Sequence, residues 1–436
     1  MKSIKPPVLN DILAAHFEEV AAVLPDTKPT DAKGRYLPWA EFQYRSRQPL
    51  IEWAAVKLAR RAISRDLPLK SESGQPFRYA LPDTFQPLLY TINRLAAPLL
   101  AERRDDNHLF LIQSLKEEAI SSAQLEGAST TRKVAKDMLD NGRPPKDEHE
   151  RMVVNNYALM RHAHDSRQEP LTIGLIQSFH ALAVNDTEAP QVIAGAFRND
   201  NHVFVQDADG HNVHQPPDYR QIESRLQALC DFANADHNEP QQFIPPVVKA
   251  VILHFMMGYE HPFADGNGRT ARALFYWFML KNGYTAFEYI SISRLLKEAP
   301  KQYGLSYLYS ETDDNDLTYF IDYQLRIINH ATEAFSTYLE RRQQEHRQAV
   351  QWLLDTAAGR NLNARQADIL SKAIRQQGRM FTVKEIMSDY QISENSARAD
   401  LKGLVAAGAL TEAKDKGRLK LFIALPDIQG RLSGRK

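Results

Sequence analysis

The sequence predicts a mainly α-helical protein with a small C-terminal domain of helices and a β-ribbon. Through most of the chain, apolar residues recur at the three- and four-residue spacing of amphipathic helices. Residues 195–214 carry two short extended runs around Asp209-Gly210, which indicates a β-hairpin. Residues 365–424 read as helices with a tight turn, followed by a ribbon with a basic glycine turn. That order is typical of a winged helix-turn-helix domain.

The composition limits the classes of protein to consider. The 436 residues suffice for two or three domains, and a hydrophobic content of 43% suffices for real cores. The chain has 54 Lys and Arg residues and 54 Asp and Glu residues, so its formal net charge is zero. No net electrostatic field therefore favours binding to nucleic acid or to a membrane. The single cysteine, Cys230, excludes an intrachain disulfide framework and suits a reducing compartment. Without a signal peptide or a long uncharged apolar span, we expect a cytoplasmic protein.

Residues 1–106 are predicted to form an N-terminal helical region. Apolar periodicity favours helices from Ile51 to Ile63 and from Thr84 to Leu100. Residues 68–82 begin and end with proline, and we expect a loop there.

A clearer helix is predicted from Asn107 to Glu126, where a second region of the chain would begin. Gly127 suits the left-handed position just past a helix end. Glu126 then lies in the last turn, where a carboxylate opposes the helix dipole at a cost of about 0.3–1 kcal/mol. An exposed glutamate would cost little, but a local rule broken in this way also marks candidate functional positions.

This second region is predicted to extend to residue 332. The hairpin at 195–214 is the only strand pair expected before the C-terminal domain, and a charged helical linker is expected over 333–361. Further helices are predicted over 148–164, 172–183, 218–236, 247–259 and 270–281, and from Ser293, Asp316 and His330.

The residues that carry chemistry are concentrated between His261 and Arg272. Gly266, Asn267 and Gly268 precede a very apolar helix, so the free N–H groups and the positive dipole end of that helix form an anion site. Arg269 and Arg272 share one face of its first turns. Two cations at this helix end oppose the dipole, which implies that an anion or a carboxylate compensates them.

Two further side chains complete this inventory. Asp265 suits Mg²⁺, which prefers one or two carboxylates together with phosphate oxygens. His261 suits a general base that takes the proton from an attacking hydroxyl. Alone, each residue type usually has a structural role, but the ordered combination is far more specific than its parts. The segment therefore predicts phosphoryl or nucleotidyl transfer.

Residues 261–272 resemble the signature of the Fic family of nucleotidyltransferases, H-x-F-x-[DE]-G-N-G-R-x-x-R, at every fixed position. Gly195-x-Phe197-Arg198 resembles the segment that leads into the family's β-hairpin flap. Ser122 to Gly127 resembles its inhibitory motif, [ST]-x-x-x-E-[GN]. The resemblance implies that residues 107–332 form a Fic-type catalytic domain, a helical bundle with a β-hairpin flap. This domain would include an inhibitory helix at 107–127.

The resemblance implies transfer of AMP from ATP to a Ser, Thr or Tyr hydroxyl of a protein. His261 would be the base, Asp265 would hold Mg²⁺, and Arg269 would stabilise charge on the phosphates. Arg272 would bind the γ-phosphate. For Tyr303, proposed to line the adenine pocket, ordinary helix packing is an equal alternative. The implied nucleotide-binding residues are Gly266, Asn267, Gly268, Arg269, Arg272 and Tyr303.

The resemblance also implies that a salt bridge from Glu126 to Arg272 restrains the enzyme, with Ser122 and Gly127 completing the inhibitory motif. In some family members the same glutamate orients a water that removes AMP from the modified protein. De-AMPylation at this site therefore remains an alternative. A homodimer is also left open.

The C-terminal winged helix domain is predicted over residues 362–436. Residues 365–436 contain 14 Lys and Arg against 8 Asp and Glu, a net charge of +6. DNA binding through residues 382–420 and protein docking are equal alternatives, because Glu394 and Asp400 dilute the basic face. A DNA-binding regulator that senses nucleotide at an inactive site is a further alternative. The intact His261 argues against it, because an inactive site need not keep its general base.

Overall fold

A computed structural model describes residues 5–96, 107–187, 189, 191–206, 210–239, 242–355, 362–375, 378–390, 392–414 and 420–432. The chain forms two compact units, residues 1–335 and 336–436. Helices dominate both, which confirms the predicted mainly α-helical class. The division falls within the predicted linker 333–361, whereas the boundary after residue 106 stays a prediction. Among the helices that the structure describes, none is both long and apolar enough to cross a membrane.

The helices that belong to or begin in the first unit are numbered in chain order. They are α1 (Leu9–Val23), α2 (Trp39–Phe42), α3 (Pro49–Ile63), α4 (Gln86–Ala96), α5 (Asn107–Leu125), α6 (Arg132–Asn141), α7 (Glu148–Asp165), α8 (Ile173–Ala183), α9 (Ile222–Asn234), α10 (Pro246–Glu260), α11 (Asn267–Lys281), α12 (Ile292–Glu298), α13 (Pro300–Thr312) and α14 (Thr318–Asp355).

The prediction of a loop over residues 68–82 is wrong, and so is the expectation of a single strand pair before the C-terminal domain. Strand β1 (Arg65–Lys70) pairs antiparallel with β2 (Pro76–Tyr79). In β1 the buried leucines alternate with exposed residues, and Pro68 takes an exposed position. Proline is tolerated in a strand where its missing N–H faces solvent, so this proline does not break the strand. Phe77 packs on α10, 4.9 Å from the ring of Tyr259.

The helices predicted to start separately at Asp316 and His330 are in fact one. Helix α14 runs unbroken for 38 residues, and α13 before it was not predicted. No glycine or proline interrupts the sequence from 316 to 355, so nothing in that segment ends the helix. The break lies earlier, where Asp314 and Asn315 adopt left-handed backbone angles, with φ of 61° and 55°.

Helix α11 lies at the centre of the first unit, as its all-round apolar sequence predicts. Every residue from Arg269 to Leu280 is buried. Helix α10 packs along it and is itself buried over most of its length. Because a helix with no solvent face must be surrounded by other elements, the body of α11 is enclosed by protein. Residues 261–272 lie at its N-terminal end, where Asp265 is exposed.

The second unit has its own core, in which Ile369, Phe381, Leu401 and Phe422 are fully buried. Its sheet has the order β5-β7-β6, with both pairs antiparallel. Residues 415–419, which include the predicted basic glycine turn of the ribbon, lie outside the described residues. The elements are α15 (Ala364–Arg375), β5 (Met380–Thr382), α16 (Val383–Tyr390), α17 (Glu394–Ala406), β6 (Leu410–Lys414), β7 (Lys420–Ala424) and α18 (Ile428–Leu432).

Candidate active site

The site forms at the joint between α10 and α11. His261 follows the last residue of α10 in the left-handed region, with φ of 43°, which is uncommon for a residue with a side chain. Pro262 cannot continue the helix, and Gly266, with φ of 79°, precedes α11. The chain therefore reverses within a tight loop, residues 261–266, which we call the motif loop.

The Asn267 side chain holds the motif loop closed. Its Oδ1 accepts from the Phe263 N–H at 3.0 Å, and its Nδ2 donates to the Phe263 carbonyl at 2.9 Å. The side chain is buried. The resemblance implies that this side chain binds an anion, whereas in the structure it hydrogen-bonds to the backbone of the motif loop. The backbone N–H groups at the start of α11 are the donors that face an anion there.

His261 has the hydrogen bonding of a neutral base. Its Nδ1 lies 3.1 Å from the Gly258 carbonyl, which can only accept, so Nδ1 carries the proton and Nε2 keeps its lone pair. Burial lowers the pKa of His261 to about 4. The imidazole is therefore neutral at physiological pH and able to take a proton.

Arg269 connects the motif loop to α8. Its Nη1 donates to the Ala183 carbonyl at 2.6 Å, and its Nη2 to Asp265 Oδ2 at 2.7 Å. The guanidinium is buried, and its Nε has no hydrogen-bond partner among the described residues. The Asp265 side chain is 56% exposed. One carboxylate thus faces solvent beside a buried cation and a helix N-terminus.

Arg272 is fully buried and is held by the end of α5. Its Nε donates to Ser122 Oγ at 2.9 Å, and its Nη2 lies 2.8 Å from Glu126 Oε1. The Glu126 carboxylate is 30% exposed, so the ion pair lies at the edge of the buried region. Gly127, with φ of 98°, ends the helix just beyond. The contact that the resemblance implies is present in the structure.

Gly268 provides the space that Glu126 occupies. A Cβ added at Gly268 would lie 2.4 Å from Glu126 Oε1 and 3.1 Å from Arg272 Nη1. The first of these distances is far below van der Waals contact. The Glu126 carboxylate therefore rests directly against the first turn of α11, where the free N–H groups favour an anion.

Tyr303 lies on α13, where burial raises the pKa of its hydroxyl and the nearby Arg272 guanidinium opposes that rise. The Tyr303 hydroxyl is 2.8 Å from His254 Nε2, and the ring packs against the main core. Burial lowers the pKa of His254 to about 3, so this histidine is neutral. These contacts are those of a packed residue, and the adenine role of Tyr303 stays a prediction.

The hairpin is shorter than the extended runs around Asp209-Gly210 predict. Strand β3 (Val205–Gln206) pairs with β4 (Asn212–His214), and residues 207–209 lie outside the described residues. His214 fastens β4 to the bundle, with Nδ1 2.6 Å from Glu311 Oε2 and Nε2 2.7 Å from the Tyr259 carbonyl. Because both nitrogens face acceptors, His214 is an imidazolium, and the Glu311 carboxylate raises its pKa although burial opposes this.

Arg198 fastens the segment before the hairpin to the motif loop. Its Nε donates to the His261 carbonyl at 3.0 Å, and its backbone N–H donates to the Pro262 carbonyl at 2.9 Å. Two further donations, to the Asp200 and Pro217 carbonyls, leave the buried guanidinium well satisfied. The hairpin and the motif loop are therefore parts of one hydrogen-bonded assembly.

The sequence reasoning missed His180, in the last turn of α8. Its Nε2 is 3.0 Å from the Asp265 carbonyl, and its Nδ1 accepts from the Gly195 N–H at 3.0 Å. Burial lowers the pKa of His180 to about 4. An isolated histidine among apolar residues carries no local signal of such a role. Only the fold brings it to a loop 85 positions away.

The donor set around Asp265 fits a divalent ion that phosphates help to hold. Among the described residues, no group of three or more His, Cys, Asp or Glu side chains could form a metal site by itself. Mg²⁺ commonly takes one or two carboxylates and completes its shell with phosphate oxygens and water. A half-exposed carboxylate next to an anion-binding helix end matches that preference.

Residues 170–279 match the model of the Fic/DOC family. That span begins just before α8, ends within α11, and includes the hairpin and the motif loop. Over these residues the chain is similar to the Fic/DOC family.

Two relatives are similar over part of the chain. Protein adenylyltransferase Fic of Nematostella vectensis is 31% identical over 118 residues, which cover 27% of this chain and 25% of the relative. Protein adenylyltransferase fic-1 of Caenorhabditis elegans is 31% identical over 129 residues, which cover 30% of this chain and 22% of the relative. The match thus spans about a quarter of the length of these relatives.

A solved structure supports the fold over most of the chain. A Fic family protein from Desulfovibrio desulfuricans G20 has a TM-score of 0.54 and 17% sequence identity. The likeness covers 80% of this chain and 98% of that protein. It confirms the Fic-type helical fold.

Proposed function

We propose that this protein is a protein adenylyltransferase that moves AMP from ATP to a Ser, Thr or Tyr hydroxyl of another protein, and that Glu126 restrains it. The observation that carries the proposal is the joint between α10 and α11. There a neutral imidazole, a half-exposed carboxylate and two buried arginines share one helix N-terminus. The names of the relatives, both protein adenylyltransferases, support the same reaction.

The phosphates of ATP would bind at the N-terminus of α11. Glycine at 266 and 268 lets the phosphates approach the backbone N–H groups closely. Arg269 would stabilise the negative charge that develops on the transferred group. Arg272 would bind the γ-phosphate once Glu126 has moved away.

Asp265 would hold Mg²⁺ together with phosphate oxygens. When bound, the ion neutralises charge on the phosphates and so favours attack by an oxygen nucleophile. The pair between Asp265 and Arg269 holds this carboxylate beside the helix end. Its exposure leaves room for ligands from the nucleotide.

His261 would act as the general base. Its free Nε2 takes the proton from the acceptor hydroxyl as the hydroxyl oxygen bonds to the α-phosphorus. The bond from the α-phosphorus to the bridging oxygen breaks in line, and pyrophosphate leaves. The hairpin would hold the acceptor segment in extended form by strand addition.

The Glu126 carboxylate would restrain this reaction in two ways. It pairs with the arginine intended for the γ-phosphate, and it rests against Gly268 in the space of an anion. Nucleotide could still bind, but its terminal phosphate could not dock productively. A coupling of 1–3 kcal/mol, typical between regulatory and active sites, corresponds to about 5–150-fold in activity.

The test is intact-mass spectrometry after incubation with ATP and Mg²⁺. Glu126→Gly should accumulate an AMP adduct on itself at least about 5-fold faster than wild type. His261→Ala in that background should abolish the adduct. Glu117→Gln, on the same helix but paired with Arg132 outside the site, is the control and should behave as wild type. An equal rate in Glu126→Gly and wild type would refute the restraint, and no adduct in either would refute the transferase.

Removal of AMP is the second candidate for this site. It is favoured by the exposed part of the Glu126 carboxylate, which lies beside the anion site and could orient a water. Modified Glu126→Gly protein, incubated with wild type and Mg²⁺, would then lose its AMP. Retention of AMP under these conditions would leave transfer as the sole direction.

For the second unit, we propose a winged helix domain with DNA as its ligand through residues 382–420. Helix α17 would be the recognition helix. Part of the positive charge of the second unit is balanced by its own carboxylates. Arg398 pairs with Glu394 on α17, and Lys420 pairs with Glu412 across the ribbon. Protein docking, including homodimer formation, is the alternative. A reducing cytosol, suggested by the single cysteine, would be the compartment.

A further inference from the structure

The last turn of α8 contacts the motif loop at two points. The Ala183 carbonyl accepts from Arg269 Nη1, and the His180 ring binds the backbone of Asp265. The same ring binds the backbone of Gly195, in the segment that leads into the hairpin. His180 therefore bridges the backbones of Asp265 and Gly195 directly, while Arg198 joins the same two segments at His261 and Pro262.

The hydrogen bonds determine which nitrogen of His180 carries the proton. The Gly195 N–H can only donate, so Nδ1 must accept and lacks a proton. Nε2 then carries the proton and donates to the Asp265 carbonyl. Each nitrogen thus has one partner, and each partner belongs to a different segment of the site.

The ring is held in place on its faces and edge as well. It stacks on Phe263 with 3.7 Å between centroids and 4° between planes. A Cβ added at Gly266 would lie 3.2 Å from its Cδ2. His180 is 1% exposed. A buried ring with this many constraints has one orientation, as a group that sets the position of others requires.

We infer that His180 is a positioning residue, which fixes the backbone of Asp265 and the hairpin lead-in relative to each other. This rests on the proposed function. Asp265 offers its carboxylate to Mg²⁺, but that side chain is half exposed on a loop, so its direction depends on where its backbone is held. The hairpin lead-in sets where the acceptor hydroxyl would lie. Displacements of about 1 Å in such groups can reduce rates about 100-fold.

The two bonds can be separated with amide side chains, because each amide reaches one of the two ring nitrogens. His180→Gln places an N–H donor near the position of Nε2 and can keep the bond to Asp265 while losing the bond to Gly195. His180→Asn places an amide near the position of Nδ1 and can keep the bond to Gly195 while losing the bond to Asp265. His162→Gln is the matched control, since His162 packs on α8 through Ser178, away from the motif loop.

Two measurements in the Glu126→Gly background test the inference. Calorimetry gives the Mg²⁺ concentration required for half-maximal ATP binding, and hydrogen exchange gives the protection of peptides that contain Gly195. His180→Asn should raise the Mg²⁺ requirement about 10-fold and leave the protection unchanged. His180→Gln should lose protection and leave the Mg²⁺ requirement unchanged. His162→Gln should change neither.

Equal loss of both properties in the two variants would overturn the inference, because it would indicate general loosening of α8. No change in either variant would overturn it as well. AMP transfer by the Glu126→Gly protein is measured in parallel. Mg²⁺-dependent ATP binding without transfer would contradict the proposed function, while the contrast between the two variants would still test His180. A complete lack of Mg²⁺-dependent ATP binding would overturn both.

Discussion

Two arginines occupy the first turns of α11, and each is paired with one carboxylate. Arg269 pairs with Asp265 from its own loop, and Arg272 pairs with Glu126 from a distant helix. Removing one partner from a buried pair leaves an uncompensated charge, which is strongly destabilising. Glu126 is partly exposed, so water screens some of that penalty. Glu126 therefore balances the charge of Arg272, the arginine expected to bind the γ-phosphate, for as long as the carboxylate stays in place.

A double-mutant cycle between Gly268 and Glu126 tests their contact. Gly268→Ala alone should destabilise the protein or give no gain, because its Cβ would meet the Glu126 carboxylate. In the Glu126→Gly background the same change should be neutral or stabilising by about 0.5–1 kcal/mol, since alanine favours a helix over glycine. Urea denaturation measures the four free energies of unfolding. Additive effects within about 0.5 kcal/mol would mean that the two residues do not touch.

The sequence predicts that an anion or a carboxylate compensates the two arginines of α11. It does not predict the contacts of every residue in the site. Two cations at a positive helix end require an anion, and the glutamate at the end of a helix was a marked exception to a local rule. Asn267 and His180 were out of reach, because their roles depend on which backbone groups the fold brings to them. No spacing in the sequence records that His180 meets the Asp265 carbonyl.

Helix α5 leads directly into Glu126, and the buried carboxylate of Glu118 holds this helix against the bundle. Glu118 accepts from the Tyr276 hydroxyl at 2.8 Å and from Ser291 Oγ at 2.7 Å, and it also binds Ser293. Burial raises its pKa despite these donors. The contact is one turn of helix before Ser122. The placement of the Glu126 carboxylate therefore depends on how firmly Glu118 fastens the helix.

Glu118→Ala should lower the free energy of unfolding by about 1–3 kcal/mol, because it leaves buried hydroxyl donors without their acceptor. It should also raise AMP transfer above the wild-type rate, since a looser α5 releases Arg272 more often. Glu117→Ala, which removes only a partly exposed pair on the same helix, is the control. A loss of stability with no rise in AMP transfer would show that the contacts of Glu118 stabilise the protein but do not control the proposed restraint by Glu126.

Elements with a complete local pattern were predicted, and those with an interrupted one were not. Helix α11 is apolar on nearly every side, and this pattern predicts a helix buried at the centre of a bundle. Strand β1 contains Pro68, which signals a loop until its exposed position is known. The sequence predicts two helices over α14, from Asp316 and from His330, yet no glycine or proline lies between them to end a helix.

At the scale of the whole molecule, the two units have separate cores. The first surrounds α11, and the second is built from residues beyond 361. Their core clusters share no residue among those described. Cooperative unfolding requires shared buried contacts, so each unit should unfold by its own transition. The activity proposed for the first unit should then survive without the second.

A chain that ends after Asp355 should retain AMP transfer at the wild-type rate in the Glu126→Gly background. Calorimetry of the full chain should give two unfolding transitions, and the shortened chain should lose one of them. Retention on duplex DNA at low salt, expected for the full chain, should be absent from the shortened one. If the full chain also passes freely over DNA at low salt, the second unit docks protein instead.

The direction of the chain gives the contact between Ser122 and Arg272 a consequence during translation. These residues are 150 positions apart, with α5 the earlier. At about 5–20 residues per second, the ribosome completes α5 about 8–30 s before it completes the arginine that α5 holds. A newly made molecule would thus carry the proposed restraint before its proposed active site is complete. An enzyme that modifies other proteins would in this way be synthesised already switched off, without waiting for a separate inhibitor to find it.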